Sequence, residues 1–334
     1  MSKEEFLKSL EEKLHAKVNK EEIASLIEYY EGYIEEATDF GMSEEAIIEQ
    51  IGDIDALVDN LTRGLKNENI DINTRELMVI ENHAQMIDID VRETKVQVMY
   101  HDEDKISAKV DPRYKQDYLI KNEDDVLSIK QVKRSLYDFD SMISNMFGQK
   151  SRDLYLLLPR DWKITVNICT SNAKIVFDGE KNEWLEHVKL ETSNAKIEIK
   201  DLKGNQLEAK TSNSKIVLEE VEIKECELKT SNAKIEIEEG KSHYLQAKTS
   251  NAKIILQKHD VDIARLKTRN SKIECRFNKN DREKEIYYHT SNGYVEIDHH
   301  RFEKEGVEYI SGSEPKITLN LETSNSKIVV ENNL

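Results

Sequence analysis

The hexapeptide Thr-Ser-Asn-Ala-Lys-Ile at Thr170–Ile175 returns, exactly or with small changes, from Thr192, Thr211, Thr230, Thr249, Thr268, Thr290 and Thr323. Successive threonines are separated by 22, 19, 19, 19, 19, 22 and 33 residues. A near-fixed period of about twenty residues marks a solenoid, in which one supersecondary unit stacks on copies of itself.

Aligning the copies on Thr assigns a task to each position. Residues four and two before it are mostly apolar, as in Val188/Leu190 and Cys226/Leu228. Residues five and seven after it are apolar too, as in Ile197/Ile199 and Ile216/Leu218. Each coil is therefore expected to hold two short strands with one inward face. The step from Asn172 to Ile175 is odd, and a strand of period two cannot place both inside, so the chain must turn there. Asn172, Asn194, Asn213, Asn232, Asn251, Asn270, Asn292 and Asn325 would then stack about 4.8 Å apart with their amides hydrogen-bonded along the stack. The expected fold is a single-stranded right-handed parallel β-helix (a β-solenoid) with an internal Thr/Asn ladder.

Two lysine files run along it. One stands four residues after Thr (Lys174, Lys196, Lys215, Lys234, Lys253, Lys272, Lys327), the other just before it (Lys210, Lys229, Lys248, Lys267). Such files read either as a basic stripe for an anionic polymer or lipid headgroup, or as solvated surface. The second reading draws on Glu198, Glu236, Glu274 and Glu296, which face the same way as the first file.

Residues 1–64 follow a different period. Ser2 and Glu5 have capping-box spacing ahead of Phe6, Leu7, Leu10 and Leu14, and start signals recur at Asn19, Ser43 and Asp53. This predicts four short helices, a linker over 65–75, and then a β domain over 76–334. Within that domain, residues 76–165 alternate like strands and are expected to cap the coils of 166–334. The whole is an α+β multidomain chain. Tyr29 and Tyr33 are candidates for docking a partner, with bundle core as the alternative. The apolar stretch 132–150, with Phe139, Met142, Met146 and Phe147, reads as a finger touching a membrane or partner, or as a helix folded over the first coil.

Composition narrows the function. Residues 1–70 hold 18 acids and 7 bases, so −11 of the net charge of −17 lies there, which argues against nucleic acid as a partner. No run of about 18 apolar residues is present, and the start lacks the apolar core of a signal peptide, so a cytoplasmic protein is expected. Cys169, Cys226 and Cys275 suggest reduced thiols. No nucleophile elbow, phosphate loop or metal-spaced His/Cys set occurs, and His289 and His299-His300 read as solvated. The expectation is no enzyme, no cofactor and no metal. Because the last copy ends so close to Leu334, the final coil is expected to be uncovered and open to pairing with a second molecule.

Residues 3–7 (Lys-Glu-Glu-Phe-Leu), 28–37 (Glu-Tyr-Tyr-Glu-Gly-Tyr-Ile-Glu-Glu-Ala), 41–48 (Gly-Met-Ser-Glu-Glu-Ala-Ile-Ile) and Ile51-Gly52 resemble the HAAS domain, a bacterial helical signalling module. That resemblance implies a protein partner, such as a regulator or a membrane-associated protein. Asp102-Glu103-Asp104-Lys105, Leu156-Leu157-Leu158-Pro159-Arg160-Asp161 and the hexapeptides resemble the bacterial putative-adhesin family of DUF-type β-helix repeats. Together the resemblances imply a non-enzymatic regulatory or scaffold protein linked to cell-envelope stress sensing. The alternative they imply is an adhesin-like module that binds envelope glycan or lipid.

Overall fold

The computed structural model describes residues 2–15, 43–51, 78–110, 117–131, 153–179, 184–277 and 282–332, together with residues 23, 27, 30, 31, 34, 38, 53–55, 57 and 58. The chain divides into two compact units, one within residues 1–76 and one built from 77–132 and 151–334. In the first, Ser2 caps the helix Lys3–Leu14. Its hydroxyl accepts the Glu5 N–H at 3.2 Å, and the Glu5 carboxylate accepts the Ser2 N–H at 3.0 Å. A second helix spans Glu44–Ile51. Phe6, Leu10, Leu14, Tyr30, Ile34 and Ile47 form one buried cluster, with Phe6 edge-on to Tyr30 at 5.8 Å. These are the helices with defined bounds among the described residues. Most of the helices expected from Asn19 and Asp53 lies outside the described residues, as do the linker, Tyr29 and Tyr33.

In the second unit the strands Ile216–Lys229, Ile235–Lys248 and Ile254–Lys267 pair in parallel, Ile216 beside Ile235 and Ile235 beside Ile254. Going along the first, the inward residues are Ile216 and Leu218, then Val221 and Ile223, then Cys226 and Leu228. Two steps of three interrupt the period of two, and the pairing skips Glu220 and Lys224 there. Each central coil thus has three inward runs, where the repeat alignment indicated two. The extra run carries no shared signature: it is Leu202 and Gly204 in one coil, Gly240 and Ser242 in another, His259 and Val261 in a third. One of its corners is left-handed, with φ between 51° and 58° at Asp201, Glu220, Glu239 and Lys258.

At the Thr-Ser-Asn corner the threonines point inward, every one of them less than a tenth exposed. Their hydroxyls donate to carbonyls of the adjoining corner, as from Thr230 to Ser214 at 3.3 Å. The asparagines are exposed at the rim, which corrects the internal Thr/Asn ladder. The reason lies in the backbone. Both the Ser and the Asn N–H donate to the same Ser carbonyl of the preceding coil, as Ser212 and Asn213 do to Ser193 at 3.1 and 3.0 Å. That tight corner ends the inward phase at Thr. The Asn amides still hydrogen-bond in one file, Nδ2 to Oδ1 at 2.7–2.8 Å, in the order 172, 194, 213, 232, 251, 270, 325, 292.

That order shows that the last two copies exchange places in the stack. The strand Ser313–Thr323 lies between Ile254–Lys267 and Arg282–Thr290, and Ile328–Glu331 lies between Ile273–Arg276 and Val295–Ile297. The outermost coil is covered by the antiparallel strands His300–Phe302 and Glu305–Ile310. The C-terminal coil is therefore interior and hydrogen-bonded on both sides, so the expected pairing of molecules through its open edge has no basis. Part of the expected cap is likewise coil. Met86–Asp90 and Lys95–His101 stack between Thr165–Asp178 and the segments Val126–Gln131 and Asp153–Pro159. Antiparallel Ile106–Val110 and Tyr118–Glu123 cover that end.

Two predictions follow from this packing. In an Asn270→Cys/Asn325→Cys variant the engineered thiols sit one rung apart and should oxidise to a disulfide, mapped by mass spectrometry. Asn270→Cys/Asn292→Cys spans two rungs, about 10 Å, and should not. The other concerns His259, fully buried with its Nδ1–H donating to the Glu239 carbonyl at 3.0 Å and its Nε2 accepting from Ser242 at 2.7 Å. Burial holds its pKa below the ordinary value of 6.5, outweighing the opposing bond to Glu239. A folded-state pKa below the unfolded one means that only the unfolded chain takes up this proton below about pH 6.5, so stability falls as the pH drops. Urea unfolding should show part of that slope removed in His259→Gln.

Candidate functional site

The outward residues of the coils form columns, and the two lysine files meet different neighbours. Beside the file four residues after Thr stands the position six after Thr: Val176, Glu198, Val217, Glu236, Ile255 and Glu274, then in spatial order Val329 and Glu296. Every second coil thus supplies a glutamate. Glu198 takes ion pairs from Lys174 and Lys196. Glu236 pairs with Lys234 and with Lys215 at 4.0 Å, and Glu274 with Lys272 at 2.9 Å and Lys253 at 3.9 Å. Burial raises the Glu274 pKa, but the Lys272 hydrogen bond and the Arg276 and Lys253 charges outweigh it and hold the carboxyl below the ordinary range. This face is largely neutralised. In chain order Glu296 precedes Val329 and the alternation fails; only the exchanged order restores it. That parity was the signal in the sequence for the exchange.

The file just before Thr has no such arrangement. Its inner neighbours, three residues before Thr, are Glu208 and Glu227 beside Lys210 and Lys229, but Gln246 and Arg265 beside Lys248 and Lys267. Lys229 pairs with Glu227, and Lys267 with Glu322 at 2.7 Å. Among the described residues Lys248 makes no ion pair. Arg265 rests over the Tyr244 ring, with its guanidinium carbon 5.6 Å from the ring centre. These cations line a groove of about 780 Å³ that runs on past Asn320 to the exposed ring of Tyr287. Adjacent parallel strands position the lining, and the end strand Glu305–Ile310 walls it off. Of the acids there, Glu322 is paired with Lys267, and Glu305 contacts His289 at 3.2 Å but keeps its charge, so four cations (Lys229, Lys248, Arg265, Lys267) face two carboxylates. A surplus of positive charge thus remains on a chain of net charge −17. Repeat alignment showed the lysine file; it missed Arg265, Asn320 and Tyr287, because the groove forms where the exchanged strand enters.

The asparagine file lies along the rim of the stack, each step joined by one Nδ2–H to Oδ1 hydrogen bond. Phe139, Met142, Met146 and Phe147, with the stretch 132–150 that holds them, lie outside the described residues. His299 and His300 are exposed and engaged locally, His300 donating to the Asp298 carbonyl at 2.9 Å. Burial pushes the thiol pKa of Cys226 and Cys275 far up, and raises that of Cys169 as well, which makes all three poor nucleophiles. Among the described residues no group of His, Cys, Asp or Glu could hold a metal ion, and no helix is long and apolar enough to cross a membrane.

Stacked parallel coils preceded by a helical unit define a repeat-built β protein with a small helical N-terminal domain. The chain belongs to the Toastrack DUF4097 family, which matches residues 84–331, and residues 5–60 match HAAS. No curated protein matches the chain. Several solved structures are similar to it. One, called a putative adhesin, from Parabacteroides merdae, is 11% identical and covers 77% of this chain and 97% of its own at a TM-score of 0.46. Another, called a putative lipid binding protein, from Parabacteroides distasonis, is 12% identical and covers 78% and 98% at 0.47. A putative adhesin from the same organism is 12% identical and covers 77% and 98% at 0.44.

The glutamates of the neutralised face differ in burial, the Glu274 side chain being 5% accessible and that of Glu198 30%. Glu274→Gln should cost about 1–3 kcal/mol in urea denaturation, since it removes the buried carboxylate that Lys272 and Arg276 share, although Arg276 keeps its pair with Glu331 at 3.2 Å. Glu198→Gln should cost under about 1 kcal/mol.

Proposed function

We propose that the chain is a non-enzymatic regulatory or scaffold protein linked to bacterial cell-envelope stress sensing. Its helical unit docks a protein partner, and its β unit supplies a rigid binding surface. The observation that carries this reading is the pairing of the two family matches, HAAS at 5–60 and Toastrack DUF4097 at 84–331, in one chain. The stacked coils support the second half: their outward side chains are fixed by backbone register, so a ligand meets groups already in place. Tyr29 and Tyr33 are the residues assigned to docking, as aromatic anchors suited to a helical interface.

A second reading, an adhesin-like module recognising envelope glycan or lipid, is favoured by the cationic groove. The two differ in where the protein acts. The scaffold reading keeps it in the cytoplasm, and recovery of the chain from the cell exterior on fractionation would favour the second. For the scaffold reading, the full-length chain and its Tyr29→Ala/Tyr33→Ala variant are crosslinked in cells and their partners compared. The variant should lose the major crosslinked protein while keeping the same melting temperature. An unchanged partner set would remove the assigned docking residues.

A further inference from the structure

We propose that the groove on the coil face binds a linear glycan bearing carboxylates, laid along the stack across the strands. This deepens the second reading above and rests on it. Lys229, Lys248, Lys267, Glu322 and His289 lie side by side in that order on adjacent strands. Four steps of about 4.8 Å give a face roughly 19 Å long, enough for about four sugar rings.

Three features fit such a ligand. Among the described residues Lys248 makes no ion pair, and the glutamates that stand beside Lys210 and Lys229 give way here to Gln246 and Arg265. The Arg265 guanidinium, steadied by Tyr244, offers the planar fork that matches a carboxylate, which a row of lysines alone would not. Beyond the cations, the Asn320 amide and the exposed Tyr287 ring suit sugar hydroxyls and the apolar face of a ring. The neutralised lysine file supplies the contrast: the same fold, the same residue type and the same spacing, but six of its lysines, from Lys174 to Lys272, are balanced in pairs by a shared glutamate.

The test is calorimetric titration of the full-length chain with tetragalacturonate and with its methyl ester, at low salt. The acid should bind, and the ester should bind at least about ten-fold more weakly, since the Lys248 and Arg265 contacts need the charge. Lys248→Gln/Arg265→Gln should lose about the same factor. Lys196→Gln/Lys234→Gln, on the neutralised file, should change affinity less than about two-fold. The substituted side chains lie on the outer surface of the sheet, so both variants should melt at the wild-type temperature, which serves as the folding control. Equal affinity for acid and ester, full affinity in the Lys248/Arg265 variant, no binding at all, or tighter binding of inorganic polyphosphate would each overturn the proposal. Crosslinking through Tyr29 and Tyr33 is read separately, so loss of the glycan result leaves the scaffold reading standing.

Discussion

The structure depends on the hydrogen bonding of the Ser-Asn corner. From Ser171 and Asn172 to Ser324 and Asn325, two successive N–H groups share one carbonyl of the adjoining coil, and the same register sets the strand pairing, the threonine rungs and the asparagine file. The arrangement is directional, with donors facing one way along the stack and acceptors the other. Each end must therefore supply what a further coil would have supplied. At one end the Gln131 side-chain oxygen accepts the N–H groups of Arg92 at 2.7 Å and Glu93 at 3.4 Å, in the place of the missing serine carbonyl. At the other, the Lys304 ammonium donates to the Ser291 carbonyl at 3.0 Å, in the place of the missing donors. An amide at the end that needs an acceptor and an ammonium at the end that needs a donor satisfy the same chemistry from opposite sides.

Both ends also use the same exchange of order. The coil next to the end is laid down either before or after the outermost one, and antiparallel strands then cover the outermost coil. This protects the free edges that a plain stack would expose. Arg282 fastens the exchange at the second end: its guanidinium reaches Asp260, Asp262 at 2.7 Å and the Pro315 carbonyl at 2.8 Å, which ties the outer coil to the inserted one. The cationic groove lies at this junction, where the inserted strand brings Asn320 next to Arg265. Chain order and site are thus linked through topology.

Charge is distributed by the same register. One lysine file is balanced by a glutamate on alternate coils, so a single acid serves two cations across a rung. In the other file Lys229 and Lys267 are paired with acids, while among the described residues Lys248 makes no ion pair and has Gln246 and Arg265 as neighbours. Solvated lysines that merely blunt a sheet edge need no such distinction. The difference between two files of the same residue, in the same protein, is what gives the groove its functional reading.

The repeat was legible in the sequence because a period of about twenty residues, with isoleucines at fixed offsets from Thr, admits little besides stacked coils. The cap of the first helix was legible from Ser2 and Glu5, whose groups meet within a single turn. Three things were not. The third inward run has no common residue type, since Gly204, Ser242 and Val261 fill equivalent places, and only packing shows that they face the core. The outward direction of the asparagines was not legible, because alternation extends one step of two residues from Thr170 to Asn172, past a corner set by backbone donors that side-chain pattern does not record. The exchange of the last two coils was written only as a parity, Glu274 then Val329 then Glu296, visible once the strands are in place. Local periodicity decided that the chain would coil. Which coil lies beside which, and so where uncompensated charge gathers, was decided by tertiary structure, because adjacency across a sheet is a long-range pairing that spacing along the chain does not specify.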